Sequence, residues 1–240
     1  MKMAVLFSGG KDSVFAVYEA LKQGHNVTTL ITMAPKSKES YMFHYPNAEF
    51  TKYQAEAMGI EHVIWKTAGE KEKELEDLKA AIASVKDRID CVAAGGLASE
   101  YQYKRIKSVC GQLGLDTFVP HWLADPERYW NLILSAGFRV MVTGVACEGL
   151  GKEWLGRVID QKAFLELKKL SVKHRFHLAF EGGEAETFVT DGPIFRKRVE
   201  ITDAETVWNR DSGFYLFRKA RLAGKGKAVP LNLRLISGGR

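Results

Sequence analysis

Cysteine is scarce in this 240-residue chain, which has only Cys91, Cys110 and Cys147. They form no Cys-x-x-Cys pair and show no metal-ligand spacing, so neither a disulfide framework nor a zinc site is predicted. The chain also has no apolar run near the ~20 residues of a membrane span, and its N-terminus lacks a signal-peptide pattern. We therefore expect a cytoplasmic protein without a membrane partner.

The composition, 46% hydrophobic and 27% charged, is typical of globular proteins, and the length suits one large domain or two small ones. The formal net charge is +6, and much of the excess lies near the C-terminus. An excess of positive charge is consistent with an RNA, an acidic protein or a phosphate-rich substrate as the partner. It is equally consistent with a charged surface that contacts only water. Composition alone does not decide between them.

A glycine-rich loop stands near the start of the chain, after a strand-like apolar run at residues 3–7. Its residues are Ser8, Gly9, Gly10, Lys11, Asp12 and Ser13. Apolar residues then recur at helical spacing: Val14, Val17, Tyr18 and Leu21. A strand, a glycine turn and a helix N-terminus together form an anion site, because the free N–H groups and the helix dipole attract negative charge. The pattern predicts a phosphate site.

The loop matches neither the Walker A spacing nor the Gly-x-Gly-x-x-Gly fingerprint. It resembles the PP-loop, Ser-Gly-Gly-x-Asp-Ser, of the N-type ATP pyrophosphatases, which split ATP between its α- and β-phosphates. An acid inside a phosphate loop repels the ligand unless a cation lies between them, so Asp12 indicates Mg²⁺. The alternative is an ordinary Gly-Gly turn that caps a helix.

The first hundred residues alternate between strand-like and helix-like segments, which predicts a parallel sheet flanked by helices. Ligands bind at the carboxyl ends of such strands, where the loop, Met33 and Gly95-Gly96 all fall. The long connection after Met33 contains His44, which is either a functional residue or part of ordinary loop packing.

The second half of the chain does not simply continue this alternation of strands and helices. We therefore predict a boundary between two domains within residues 95–125. We expect an ATP-binding domain over 1–105, a smaller α/β substrate domain over 106–222 and a mobile tail over 223–240. No internal repeat or low-complexity linker separates them.

Three glutamates, Glu181, Glu184 and Glu186, lie within six residues and precede the strand-like Thr187-Phe188-Val189. A strand would place Glu184 and Glu186 on one face, where like charges repel unless they meet a cation or a substrate donor. Such a cluster suits Mg²⁺ ligation, substrate positioning or general-base work on an amine. The alternative is a hydrated acidic turn.

Several motifs together resemble the diphthine–ammonia ligase family in its short archaeal-type form, over residues 1 to about 222. They are the PP-loop, the loop 39–44, Gly95-x-x-x-Ser99-x-Tyr101-Gln102 with Arg105, Val109-Cys110, Leu113-Gly114-Leu115, and Glu181-Gly-Gly-Glu-x-Glu-Thr-Phe-Val. The resemblance implies a HUP-like α/β fold and ATP-dependent amidation of diphthine on translation elongation factor 2 by ammonium. An acyl-adenylate would form on the way to diphthamide, AMP and pyrophosphate.

The resemblance also implies roles for individual residues. Lys11, Asp12, Glu184 and Glu186 are the expected catalytic residues, and Asp12 is the expected Mg²⁺ ligand. The expected ATP-binding residues are Ser8, Gly9, Gly10, Lys11, Asp12, Ser13, Met33, Gly95 and Gly96. The expected substrate residues are His44, Tyr101, Gln102, Glu181, Gly182, Gly183, Glu184, Glu186 and Thr187.

Other readings of the PP-loop remain open at this point. One is a tRNA-modifying enzyme that adenylates a base, although sulfur transfer needs a reactive cysteine and no RNA-binding module is evident. Another is a non-catalytic nucleotide sensor, and a third is a small-molecule amide ligase. We expect elongation factor 2 as the partner and no stable nucleic-acid complex, and the sequence leaves a homodimer open.

Overall fold

The computed structural model describes residues 1–35, 47–67, 73–96 and 100–225, and the first half of the chain forms a five-stranded parallel sheet. Its strands are β1 (Lys2–Leu6), β2 (Asn26–Pro35), β3 (Glu61–Thr67), β4 (Cys91–Ala94) and β5 (Asp116–Phe118). Their order is β3-β2-β1-β4-β5. The chain therefore runs outward from β1 to one side and returns through β4 to the other. The carboxyl ends of β1 and β4 flank the crevice where ligands bind in such sheets.

Helices cover both faces of this sheet. They are α1 (Lys11–Lys22), α2 (Thr51–Met58), α3 (Lys73–Ala83) and α4 (Glu100–Gln112). Because successive side chains of a strand point to opposite faces, Met3 and Val5 of β1 pack in one apolar cluster with α1 and α2. Ala4 packs in a second cluster with α3 and α4. The predicted α/β class is confirmed.

A second sheet, whose described strand pairs are all antiparallel, follows in the second half. Its elements in chain order are α5 (Pro126–Ser135), β6 (Arg139–Val145), β7 (Val158–Ile159), α6 (Gln161–His174), β8 (Ala185–Asp191), β9 (Lys197–Asn209) and β10 (Ser212–Gly224). The strand order is β7-β6-β10-β9, with β8 paired to β6. None of the helices in the described ranges is both long and apolar enough to cross a membrane.

The change from the first sheet to the second comes after β5, within the residues 95–125 where the sequence predicts a boundary. The predicted boundary at 105/106 falls inside α4, and β5 beyond it pairs with β4 of the first sheet. The helix continues because its apolar positions, Val109 and Cys110 among them, pack on the first sheet. The predicted tail from residue 223 also begins inside β10, and residues 226–240 lie outside the described ranges. The division into domains remains a prediction.

The two halves are joined by buried packing and by hydrogen bonds that involve backbone groups. Asn47 donates from its amide to the carbonyl of Tyr215 at 3.0 Å and accepts from the N–H of Phe217 at 3.0 Å. The N–H of Arg196 donates to the carbonyl of Ala57 at 2.7 Å. One apolar cluster contains residues of both halves. This packing brings β8 against the glycine-rich loop.

Several of the basic residues near the C-terminus are paired on the β9–β10 hairpin. Arg221 donates to Glu200 at 2.7 Å, and Arg198 lies within 3.4 Å of the same carboxylate. Arg218 pairs with Glu205 across the two strands. The net positive charge of this region is therefore smaller at its surface than the count of arginines and lysines indicates.

Candidate active site

The glycine-rich loop is folded around the hydroxyl of Ser13. Its Oγ accepts hydrogen bonds from the N–H groups of Ser8 at 3.2 Å and Gly9 at 3.1 Å. The same hydroxyl donates to the carbonyl of Gly10 at 3.2 Å. Gly10 is the N-cap of α1, so the loop leads directly into the first helical turn. The sequence places a serine here because only a short hydroxyl side chain both donates and accepts within one turn.

Two glycines of the site are required by close packing. Gly9 has a φ of +79°, and a Cβ there would lie 2.3 Å from Oε1 of Gln54. A Cβ at Gly95 would lie 2.2 Å from the carbonyl carbon of Asp12, so the end of β4 rests on the backbone of the first turn of α1. A larger residue at Gly95 would require a shift of the backbone, whereas one at Gly9 would displace the Gln54 side chain and be strained at this φ. These glycines therefore determine how closely β4, α1 and α2 approach each other.

The side chain of Gln54 fastens the loop to the second half of the chain. It is fully buried, and its amide donates to the carbonyls of Gly9 at 2.8 Å and Val189 at 2.7 Å. The N–H of Val189 donates to the same Gly9 carbonyl at 2.9 Å. The start of the loop is thus held from α2 and from β8 at once.

Lys11 and Asp12 form an ion pair at the mouth of the loop. Nζ of Lys11 donates to Oδ2 of Asp12 at 2.8 Å, and only 3% of the lysine side chain is exposed. The lysine ammonium also lies 5.8 Å from the ring centroid of Trp130 and 5.6 Å from that of Phe180, within cation–π distance. The second carboxylate oxygen of Asp12 accepts a hydrogen bond from the hydroxyl of Tyr129 at 3.0 Å. Burial and the neighbouring Asp12 raise the pKa of Tyr129 well above its ordinary value, so this hydroxyl remains a donor.

The glutamate segment meets the loop through β8. The N–H of Lys11 donates to Oγ1 of Thr187 at 3.1 Å. Just before this strand, Phe180 has a φ of +65°, in the left-handed region that non-glycine residues rarely adopt. This turn directs the chain so that Glu181 and Glu186 both reach the same cavity as the loop.

Glu184 is arranged differently from Glu186. The prediction that one strand places both on one face is wrong, because β8 begins at Ala185 and Glu184 belongs to the preceding turn. Its carboxylate accepts the N–H groups of His177 and Gly182, each at 2.8 Å. These bonds stabilise the turn and direct the carboxylate to the backbone.

A single cavity of about 270 Å³ joins the loop, the ends of β1, β2 and β4, and the glutamate segment. The predicted site residues that line it are Ser8, Gly10, Lys11, Asp12, Ser13, Met33, Gly95, Gly96, Gln102, Glu181, Gly183, Glu186 and Thr187. Gly9, Tyr101, Gly182 and Glu184 are not among its lining residues, and His44 lies outside the described residues. Apolar residues such as Ile31, Leu78 and Ile106 line the wall on the side of the first sheet.

The carboxylate of Asp12 suits a magnesium ion that is bound together with a phosphate ligand. Across the ranges that the structure describes, no three His, Cys, Asp or Glu side chains cluster in a way that could hold a metal ion. Asp12 lines the cavity beside the loop as a single carboxylate. Mg²⁺ is commonly held by one or two carboxylates with phosphate oxygens and waters, so this donor set fits a magnesium ion that enters with a phosphate ligand.

Three neighbours of the predicted site residues were not identified by the sequence analysis: Tyr129, Gln54 and Phe180. Each lies in a segment whose pattern of apolar residues predicts packing in the core. Tyr129 contacts Asp12 across 117 positions, and Gln54 contacts Val189 across 135. No local spacing could have indicated these pairs.

Comparison with known proteins identifies the family of the chain. Two protein-family models match the chain: the diphthamide synthase N-terminal domain over residues 1–117 and the diphthamide synthase C-terminal domain over residues 125–223. A curated zebrafish (Danio rerio) protein named diphthine–ammonia ligase is 31% identical, over 89% of this chain and 91% of its own length. The chain belongs to the diphthine–ammonia ligase family.

Other relatives carry the same name. The human diphthine–ammonia ligase is 30% identical over 98% of this chain and 97% of its own length. The fission yeast (Schizosaccharomyces pombe) one is 31% identical over 98% of this chain, which is only 42% of that longer protein. The predicted family, the assignment to the ligases and the link to diphthamide biosynthesis are confirmed.

A solved structure, titled as a predicted subunit of tRNA methyltransferase from Methanocaldococcus jannaschii, covers 79% of this chain at 18% identity. Its TM-score is 0.45, below the level from which a common fold is inferred.

Proposed function

We propose that this ligase converts diphthine on translation elongation factor 2 to diphthamide, with ammonium and ATP as co-substrates and AMP and pyrophosphate as products. The observation that carries the proposal is the single cavity in which the phosphate loop faces Glu181 and Glu186. One side of this cavity presents donors and a lysine, and the other presents carboxylates. A nucleotide phosphate and a cationic acceptor can therefore meet there.

The first step activates the substrate carboxylate. A carboxylate oxygen bonds to the α-phosphorus while the bond from that phosphorus to the bridging oxygen breaks, and pyrophosphate leaves. The loop backbone, Lys11 and Ser13 hold the phosphates and stabilise the charge that builds on the leaving pyrophosphate. Mg²⁺ held by Asp12 would neutralise part of the phosphate charge. Met33, Gly95 and Gly96, at the strand ends, flank the adenosine.

The second step forms the amide. Ammonia bonds to the acyl carbon, the bond from that carbon to the AMP oxygen breaks, and AMP leaves. Ammonium is unreactive until it loses a proton, and the amine gives up another as the amide forms, so the site needs a base. Glu186, with Glu181 second, orients the ammonium and accepts a proton. Gln102 and Thr187 line the substrate side, and Glu184 shapes the turn that presents the other two glutamates.

The rival activities find less support. Transfer of sulfur to tRNA requires a thiolate, but burial raises the pKa of Cys91 and of Cys147 to about 11. Burial also raises the pKa of Cys110. A non-catalytic nucleotide sensor is excluded by membership of a ligase family.

Mass spectrometry of the acceptor tests the proposal. Diphthine-bearing elongation factor 2 is incubated with the protein, ATP and Mg²⁺, in parallel with unlabelled and with ¹⁵N-labelled ammonium, and the mass of the diphthine-bearing peptide is measured. With unlabelled ammonium we expect the decrease in mass of a carboxylic acid converted to an amide, with AMP rather than ADP released. The product of the labelled reaction should be heavier than the unlabelled product by the mass of one neutron. Omission of ATP or of ammonium is the control and should abolish the change. An unmodified peptide, with folded protein that binds ATP, would refute the assigned acceptor.

A further inference from the structure

We propose that Tyr129 is a positioning residue for the ATP site: it holds the carboxylate of Asp12 and so makes the phosphate site depend on α5 of the second half. The inference rests on the proposed use of ATP, and it adds a residue outside the loop to that function. It is carried by the hydrogen bond from the Tyr129 hydroxyl to Oδ1 of Asp12 at 3.0 Å.

The ring of Tyr129 has little freedom. The residue is 2% exposed, and its ring contacts Phe15 edge-to-face at a centroid distance of 5.5 Å. It also packs on His121 at 5.2 Å. Phe15 belongs to α1, the helix that starts at the loop, so the same tyrosine touches the helix body with its ring and the first turn with its hydroxyl. A side chain locked in this way can act as a fixed support for Asp12.

Asp12 needs a second partner because the first is the lysine of the loop. Oδ2 of Asp12 accepts from Nζ of Lys11 at 2.8 Å, and Oδ1 accepts from Tyr129. Without the hydroxyl, the carboxylate is free to turn about its own side-chain bonds and to bind Lys11 with either oxygen. The lysine is then less available to the phosphates, and the carboxylate no longer keeps its direction toward the cavity.

The next residue of α5 supports the opposite side of the cavity. The indole N–H of Trp130 donates to the carbonyl of Leu178 at 2.9 Å, close to the turn at Phe180 and Glu181. Consecutive residues of one helix therefore hold the phosphate loop and the segment that leads into the glutamate turn. Through α5, the position of Asp12 is therefore coupled to the position of the turn that carries Glu181.

The test substitutes Tyr129 and a matched tyrosine. Tyr129→Phe removes only the hydroxyl. Tyr18→Phe makes the same change in a residue whose ring packs on Phe15, as that of Tyr129 does, and on Phe138. ATP dissociation constants are measured in Mg²⁺ by calorimetry, AMP formation is assayed for kcat and KM, and unfolding in urea is followed in parallel. Because Asp12 loses a hydrogen bond to its charged carboxylate, Tyr129→Phe should weaken ATP binding or kcat/KM by about tenfold or more. Tyr18→Phe should leave both unchanged.

A double-mutant cycle separates positioning from a general structural role. If Tyr129 acts through Asp12, Tyr129→Phe should have little further effect on ATP binding in an Asp12→Ala background, where no oxygen is left to accept from the hydroxyl. Unchanged ATP binding and turnover in Tyr129→Phe would overturn the inference. An equal loss in the Asp12→Ala background, or a loss confined to urea stability, would also overturn it. If the wild-type protein neither binds nor cleaves ATP, the proposed function itself fails and the inference fails with it.

Discussion

The hydroxyl of Thr187 accepts a hydrogen bond from the backbone N–H of Lys11 at 3.1 Å, across 176 positions of the chain. Two residues further along β8, the N–H of Val189 donates to the carbonyl of Gly9 at 2.9 Å. The glycine-rich loop, near the start of the chain, is therefore held in position by a strand from the second half. The conformation of the loop depends on both halves, and substitutions can measure what each contact contributes to stability and to ATP binding.

Thr187→Val should lower stability, while Thr187→Ser should not. Valine has nearly the shape of threonine and suits a strand, but it leaves the Lys11 N–H without its acceptor, which costs about 1 kcal/mol. Serine keeps the hydroxyl. Urea unfolding of the two variants and the wild type measures the difference. Equal unfolding free energies for Thr187→Val and the wild type would show that this N–H finds another acceptor.

Gly95→Ala should disrupt the phosphate site. The new methyl group would overlap the Asp12 carbonyl, so β4 and α1 must separate, at a cost of about 1–3 kcal/mol. ATP affinity should fall with stability, measured by calorimetry and urea unfolding. Gly111→Ala is the matched control, because Gly111 lies in α4 with no atom within 4 Å of a Cβ. There alanine should stabilise the helix by about 0.5–1 kcal/mol. Similar losses in both variants would contradict the packing argument.

Substitution of Glu186 should reduce amide formation, whereas substitution of Glu184 should reduce stability. Glu186→Gln should leave the fold and ATP binding near wild type but strongly reduce amide formation, since Glu186 lines the cavity. Glu184→Ala should lower the unfolding free energy by about 1–3 kcal/mol, because two backbone N–H groups lose a charged acceptor. Amide formation and urea unfolding are measured for both. Full activity of Glu186→Gln would show that the proton acceptor lies elsewhere.

His62 should make stability depend on pH. Burial lowers the pKa of His62 from 6.5 to about 4, and its Nε2 lies 2.8 Å from the Thr32 hydroxyl that donates to the Phe7 carbonyl. The unfolded chain takes up a proton below pH 6.5 while the folded protein does not until about pH 4. The unfolding free energy should therefore fall as the pH decreases through this window.

His62→Gln removes the titrating group, so its unfolding free energy should decrease less between pH 7 and pH 4, measured in urea at several pH values. Other groups that titrate in this range contribute to both proteins and cancel in the comparison. Parallel curves for the two proteins would mean that His62 is solvated in the native state.

Much of the first half was predictable from the sequence because its signals are local. The alternation of apolar runs and helical stripes predicted a parallel sheet with helices, and the loop 8–13 lies at the strand–helix junction where it was expected. Met33, Gly95 and Gly96 reach the cavity because the carboxyl ends of parallel strands share one edge. The glutamate segment was also recognisable, since three acids spaced by glycines do not pack in a core.

By itself, the sequence determined the strand–loop–helix unit, the fold class and the family, since each depends on residues close together in the chain or on a long match. The tertiary structure alone decided which glutamates reach the cavity, because the first residue of β8 sets the direction of every side chain near it. It also decided that Tyr129 supports Asp12 and that Gln54 and Thr187 hold the loop. These contacts join residues more than a hundred positions apart, and only the packing of the two halves brings them within hydrogen-bond distance.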